Sequence, residues 1–201
     1  MKSKIISTTS AGALFLCALT IWAGCSAITN YKLKKQYEEQ KHQAEAGNVR
    51  AQFELGLMFE KGRGITQDYG EAALWYRSAA EKGLADAQTN LALLYKMGQG
   101  VPQDYAQALG WHRKAADQGY AAAQNNLGMA YYEGKGVPQD YSQALAWFRK
   151  AIDQGYVVAQ FNLGHAYYHG RGVTQNYEQA VAWFTTAATQ GNPNAQFNLG
   201  R

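Results

Sequence analysis

Two histidines, His165 and His169, stand four apart in the run FNLGHAYYHG. On a helix that spacing puts both imidazoles on one face, where a metal ion could bridge them. The residues between them are Ala166, Tyr167 and Tyr168, so the glutamate of the helical zinc-protease motif is absent. No nearby cysteine or aspartate offers a further ligand. The pair therefore reads as polar side chains presented to a partner, and neither a metal nor a cofactor is expected. Gly134 and Gly136 faintly resemble a phosphate loop, but they lack the third glycine and the preceding strand that such a loop needs. Asp68, Asp104 and Asp140 recur at one interval. Catalysis has no reason to repeat at every step of a chain, whereas an aspartate capping a helix N-terminus explains all three. With no cysteine nucleophile and no strand-elbow serine in this region, no catalytic residue is assigned and an enzyme is not expected.

What positions these residues is a repeat. Trp75, Trp111, Trp147 and Trp183 are each 36 apart. The best-formed copy begins AQNNLGMAYYEGKGVPQDYSQALAWFRKAIDQGY at Ala123, with close copies starting at Ala87 and Ala159 and a more divergent one at Ala51. The expected units are residues 51–86, 87–122, 123–158 and 159–194, with a partial fifth at 195–201. Fixed periodicity of this kind signals a stacked array rather than a conventional domain.

Within the copy at Ala123, Leu127, Ala130 and Tyr131 fall at helical spacing. Gly134 and Gly136 end that helix, and Val137-Pro138 continues as an extended turn. Asp140 caps a second helix whose apolar stripe holds Ala144, Trp147, Phe148 and Ala151. Each repeat is then an αα-hairpin with a loop of about five or six residues. Gly128 sits inside the first helix, where glycine costs about 1 kcal/mol against alanine. The same place holds Gly56, Gly164 and Gly200, with Ala92 in one copy, so a neighbouring helix is expected to approach closely. Trp147 is the expected large partner, and Gly56, Gly128, Gly164 and the four tryptophans are assigned to the scaffold.

The pattern Ala-Gln-x-x-Leu-Gly-x-x-Tyr, then Gly-x-Gly-Val, Asp-Tyr-x-x-Ala-x-x-Trp and Ala-Ala-x-x-Gly, resembles the Sel1-like repeat family, relatives of the tetratricopeptide repeat with a longer loop. Departures are small: Ala92 for Gly, Phe59 for Tyr, Ile152 for Ala and Asn176 for Asp. The resemblance implies an all-α fold, a right-handed α-solenoid of stacked hairpins, and a non-catalytic adaptor that binds a peptide or protein on its concave face. Cysteine-rich relatives linked to β-lactams depend on paired cysteines in each repeat, which these repeats lack. A self-associating structural protein is the alternative.

The inner surface is expected from first-helix positions that vary between copies. These are Phe53, Leu57, Glu60 and Lys61; Thr89, Leu93, Lys96 and Met97; Asn125, Met129, Tyr132 and Glu133; and Phe161, His165, Tyr168 and His169. Aromatic side chains in this set are the expected anchors for a partner.

The whole chain carries 19 basic and 15 acidic residues, a formal charge of +4. Without a basic cluster in the repeats it has no nucleic-acid footprint. Lys2 and Lys4 precede an apolar run over about residues 11–23, the layout of an export signal. The run ends Trp22-Ala23-Gly24-Cys25-Ser26, which resembles a bacterial lipoprotein signal, with Trp22 where that motif prefers leucine. Residues 1–24 are thus expected to be a signal segment and Cys25 a lipidation site, giving a periplasmic or outer-membrane lipoprotein. Secretion after ordinary cleavage, or inner-membrane anchoring, are the other outcomes. Residues 25–50 are expected to hold a spacer and a helix, over about 31–46, that caps the stack or serves as a solvated linker.

Overall fold

The computed structural model describes residues 31–200. The expected signal segment and Cys25 lie outside them. The described residues form ten helices and no strand. Helix α1 covers residues 31–45. Four hairpins follow: α2 (Val49–Lys61) with α3 (Tyr69–Glu81), α4 (Ala85–Met97) with α5 (Tyr105–Asp117), α6 (Ala121–Glu133) with α7 (Tyr141–Ile152), and α8 (Val157–His169) with α9 (Tyr177–Thr189). A short α10 (Pro193–Leu199) ends the array. Each helix packs on the next in chain order, the arrangement of an α-solenoid.

The ends of these helices are set by a few side chains. Asp68 and Asp104 each accept from two backbone N–H groups of the helix that follows, while Asp140 and Asn176 each accept from one. A cap of this type contributes about 1 kcal/mol. The loop between α6 and α7 spans seven residues, 134–140, slightly longer than its sequence suggests. It opens with Gly134 at φ 68°, a left-handed conformation that only glycine adopts at little cost. Gly136 has a second reason to be glycine. A Cβ there would lie 2.4 Å from the carbonyl oxygen of Tyr105 in the preceding repeat, so the absent side chain lets the loop seat on the hairpin before it.

Hairpins are joined by a recurring pair of amide bonds. The buried Gln88 donates from Nε2 to the carbonyl of Ala80 at 3.0 Å, and its Oε1 accepts from Gln118 at 2.8 Å. Gln124 likewise donates to Ala116 and accepts from Gln154. Gln160 accepts from Gln190. At the front of the array Gln52 donates to the carbonyl of Ala44 in α1 at 3.1 Å, so α1 meets α2 as α3 meets α4. Ala44 is buried with Ala51 and Leu55, against Tyr37, Phe59 and Trp75.

The core of each hairpin stacks a leucine, an alanine and a ring. Leu55, Leu91, Leu127 and Leu163 are buried, as are Ala72, Ala108, Ala144 and Ala180. The close approach expected at Gly128 is present, but its partner is Phe148 rather than Trp147. A Cβ on Gly128 would lie 2.7 Å from the Phe148 ring. Gly56 meets Tyr76 and Gly164 meets Phe184 in the same way, with the Trp183 Cβ somewhat farther off. Successive residues on a helix are turned by about 100°, so only one of two neighbours can face α6. Trp147 is half-buried instead, with the Lys150 Nζ 3.9 Å from its ring centre, and Lys114 covers Trp111 at 4.1 Å.

One hairpin departs from this rule. Repeat two places Ala92 where the others have glycine, and the facing ring is His112, a smaller ring than Tyr or Phe. The extra methyl and the smaller ring offset each other. His112 is 3 % exposed, and neither ring nitrogen has a hydrogen-bond partner. Burial, reinforced by the charge of Lys96, pushes its pKa down to about 4, so at neutral pH it is an uncharged core ring.

Candidate functional site: the face of the first helices

The residues expected to meet a partner divide by position. The third-position set is packed rather than open: Phe53, Thr89 and Asn125 are buried and Phe161 is half-buried. Phe53 lies on Tyr76 with ring centres 5.7 Å apart, and Phe161 lies on Phe184 at 5.5 Å. Thr89 donates to the Ala85 carbonyl, and Asn125 accepts from Asn162 of the next repeat at 2.8 Å. The helix turns this position toward its own hairpin partner, which removes Phe53 and Asn125 from the exposed face. The seventh-position residues Leu57, Leu93, Met129 and His165 are half-buried. Of the remaining positions, Lys61, Met97, Glu133, Tyr168 and His169 are exposed and Lys96 is intermediate.

Tyr132 is a further correction, because it is buried at 8 % exposure. Its ring packs edge-on against Tyr141 at 5.2 Å and at a tilt against Phe148 at 6.2 Å. Its hydroxyl has no hydrogen-bond partner. Burial raises its pKa. The nearby Arg171 acts in the opposite sense, with its guanidinium 5.5 Å from the ring centre.

Between α6 and α8 lies a cavity of about 510 Å³. Met129, Phe148 and Phe161 supply apolar surface, while Tyr132, His165 and Arg171 supply polar groups. This mixture, at this volume, is typical of ligand-binding clefts. Glu133 on its edge is already paired with Lys135 at 2.8 Å. His165 and His169 have ring centres 4.4 Å apart. Burial lowers the pKa of His165, and the charges of His169 and Arg171 add to that effect. Among the described residues no cluster of three or more His, Cys, Asp or Glu could hold a metal ion.

Arg171 and Phe148 belong to this cavity and were not assigned to it from the sequence. Arg171 sits in the glycine-rich loop, where it reads as a linker residue. Phe148 sits on the second helix, which sequence reasoning reserves for the core.

Stacked αα-hairpins with a cleft between successive first helices define an α-solenoid scaffold. The chain belongs to the Sel1 repeat family: that family's profile matches residues 49–84, 85–120, 121–156 and 157–192. Each matched unit begins at the first residue of a first helix, two residues before the boundary drawn from the alanine-glutamine pairs. The fold is similar to a protective antigen of uropathogenic Escherichia coli displaying an SLR fold, with a TM-score of 0.77 and 40% identity. That alignment covers 83% of this chain and 36% of the antigen, so the chain spans little more than a third of that relative. A Sel1 repeat protein from Oxalobacter formigenes aligns with a TM-score of 0.76 and 38% identity, over 84% of this chain and 69% of the other. An immunity protein from Pseudomonas aeruginosa shares the fold alone, with a TM-score of 0.57 and 23% identity over 81% of this chain and 60% of its own. A search of curated protein sequences gives no match. Sel1 repeat proteins are generally protein-interaction scaffolds, which fits a non-catalytic adaptor.

Proposed function

We propose that this chain is a non-catalytic adaptor that holds a segment of a partner protein against the face formed by α2, α4, α6 and α8. The observation that carries this reading is the cavity of about 510 Å³ between α6 and α8, with apolar walls and a few convergent polar groups. Exposed Tyr168 and Met97, at the tenth and eleventh first-helix positions of their repeats, offer further contact area. A photo-crosslinking side chain placed at Tyr168 or Met97 tests the reading, with Leu74 on α3, 60 % exposed, as the control site. Partner adducts should form from the first two positions and not from Leu74. Adducts at twice the mass of the chain, in place of a different partner, would favour self-association.

The N-terminal pattern ending at Cys25 supports an exported chain tethered by a lipid on that cysteine. Among the described residues no helix is long and apolar enough to cross a membrane. Incorporation of labelled palmitate, lost in Cys25→Ser, tests the tether.

A further inference from the structure

We propose that the cavity between α6 and α8 is a carboxylate subsite, which takes the side chain of an acidic residue flanked by apolar residues in a bound segment. The proposal rests on the adaptor reading above and assigns the chemistry of its occupant.

Repeats one and three differ at one facing pair of side chains. In repeat one, Glu60 of α2 faces Tyr76 of α3, and the Tyr76 hydroxyl donates to the Glu60 carboxylate at 2.5 Å. The equivalent pair in repeat three is Tyr132 of α6 and Phe148 of α7. The phenol has moved to the first helix, and the second helix has lost its polar atom. The chain therefore supplies the donor in repeat three without the acid that receives it in repeat one. Tyr132 cannot turn its hydroxyl toward water, because Tyr141 and Phe148 clamp its ring. A buried hydroxyl whose proton has no acceptor is unusual and asks for one from outside.

The other groups at the cavity select an anion as that acceptor. Arg171 is exposed, lies over the Tyr132 ring, and has no ion pair among the described residues. A guanidinium in that state can swing to grip a carboxylate with two parallel hydrogen bonds, uncovering the Tyr132 hydroxyl beneath it. The acid at the rim, Glu133, is neutralised by Lys135. The unpaired charge facing the cavity is thus positive, with half-buried His165 as a further donor when its tautomer allows.

The volume exceeds what one carboxylate fills, and Met129 and Phe161 line the remainder. That space suits the apolar side chains next to the acid. The first-helix face continues beyond the cavity through Leu93 and Met97 of α4, so the occupant runs through the cleft and its acid is a side chain, not a chain end.

The test uses the full chain and three pools of short peptides with degenerate apolar positions. One pool is end-blocked around a fixed Glu, one is end-blocked around a fixed Gln, and one has the fixed Gln with a free C-terminal carboxylate. Binding is read by calorimetry. The end-blocked Glu pool should bind on the order of tenfold more tightly than the end-blocked Gln pool, as expected when a charge-assisted pair is formed. Arg171→Gln and Tyr132→Phe should each remove most of that preference while far-ultraviolet dichroism stays unchanged. Tyr132→Phe keeps the ring that packs the core. Should it nevertheless perturb folding, Arg171→Gln on its exposed site decides the matter alone. Equal binding of the two end-blocked pools would overturn the carboxylate subsite and leave the adaptor reading intact. Absence of binding by any pool at millimolar concentration would overturn both. Tightest binding by the free-carboxylate pool would overturn the side-chain assignment in favour of a chain end.

Discussion

Replacing His112 by Phe and Ala92 by Gly in one variant would give repeat two the packing of repeats three and four. His112→Phe alone should fail to pack, because the methyl of Ala92 would stand where a Cβ on Gly128 would lie 2.7 Å from Phe148. The double variant removes that clash. It also removes the only pair of buried, unpartnered ring nitrogens among the described residues. Its signature is in the pH dependence. The folded protein holds His112 at a pKa of about 4, against 6.5 for the free side chain. The unfolded chain therefore binds more protons between those values, so stability is complete above pH 6.5 and falls as the pH drops toward 4. At pH 4.5 the loss from this one residue is roughly 2 kcal/mol, and it approaches about 3 kcal/mol below pH 4. Because the side chain is 3 % exposed, little of this is screened by solvent. Urea unfolding followed by far-ultraviolet dichroism at pH 7 and pH 4.5 measures it. With a slope of about 2 kcal/mol/M, the native chain should lose about 1 M more in midpoint than the double variant between the two pH values. An equal loss in both proteins would show that His112 is hydrated or already charged in the fold, and would refute the reasoning.

Two further outcomes follow from the packing. Gly128→Ala forces a methyl against the Phe148 ring and lies 3.0 Å from the Ala144 carbonyl, so it should cost about 1–3 kcal/mol in urea unfolding despite the better helix propensity of alanine. Gln88→Leu removes one hydrogen bond from the Ala80 carbonyl, which keeps that of the Gly83 N–H, and one from the Gln118 amide, which keeps the Lys114 carbonyl, so it should cost about 1 kcal/mol, with hydrogen exchange rising at the junction of α3 and α4 before the rest of the array.

The array itself was legible because its determinants repeat. The Asp68, Asp104 and Asp140 caps and the glycine turns each recur in register, and a cap or a left-handed glycine acts within a few residues of its own position. Contacts between helices were harder. Trp147 drew attention because tryptophan is invariant among the copies, yet the most buried ring belongs to the next residue, which reads Tyr76, His112, Phe148 and Phe184. Variation between copies suggests exposure, yet a core position can vary when its neighbour varies with it, as this one does. The signal was present in the joint change to Ala92 and His112 within one repeat. The same assumption put Phe53, Asn125 and Tyr132 on the open face, although each packs against a facing or adjoining helix. Arg171 was invisible as a site residue because loop position alone does not say which helix a flexible side chain lies over.

The glutamine joints carry a consequence for how such a chain can change length. The junctions of α3 with α4 and of α5 with α6 use the same donor and acceptor, Gln88 on Ala80 and Gln124 on Ala116, and an amide at the end of the glutamine's own hairpin, Gln118 or Gln154, closes the pair. A duplication of one whole unit of 36 residues in the gene would recreate a complete joint on both sides of the insert. A duplication one codon longer or shorter would put a glutamine out of step with its carbonyl at the joint where the extra or missing residue falls, because each bond spans only eight residues. Tandem growth is therefore quantised by the joint chemistry, and unequal exchange between copies is filtered for frame at the level of the folded protein as well as the message.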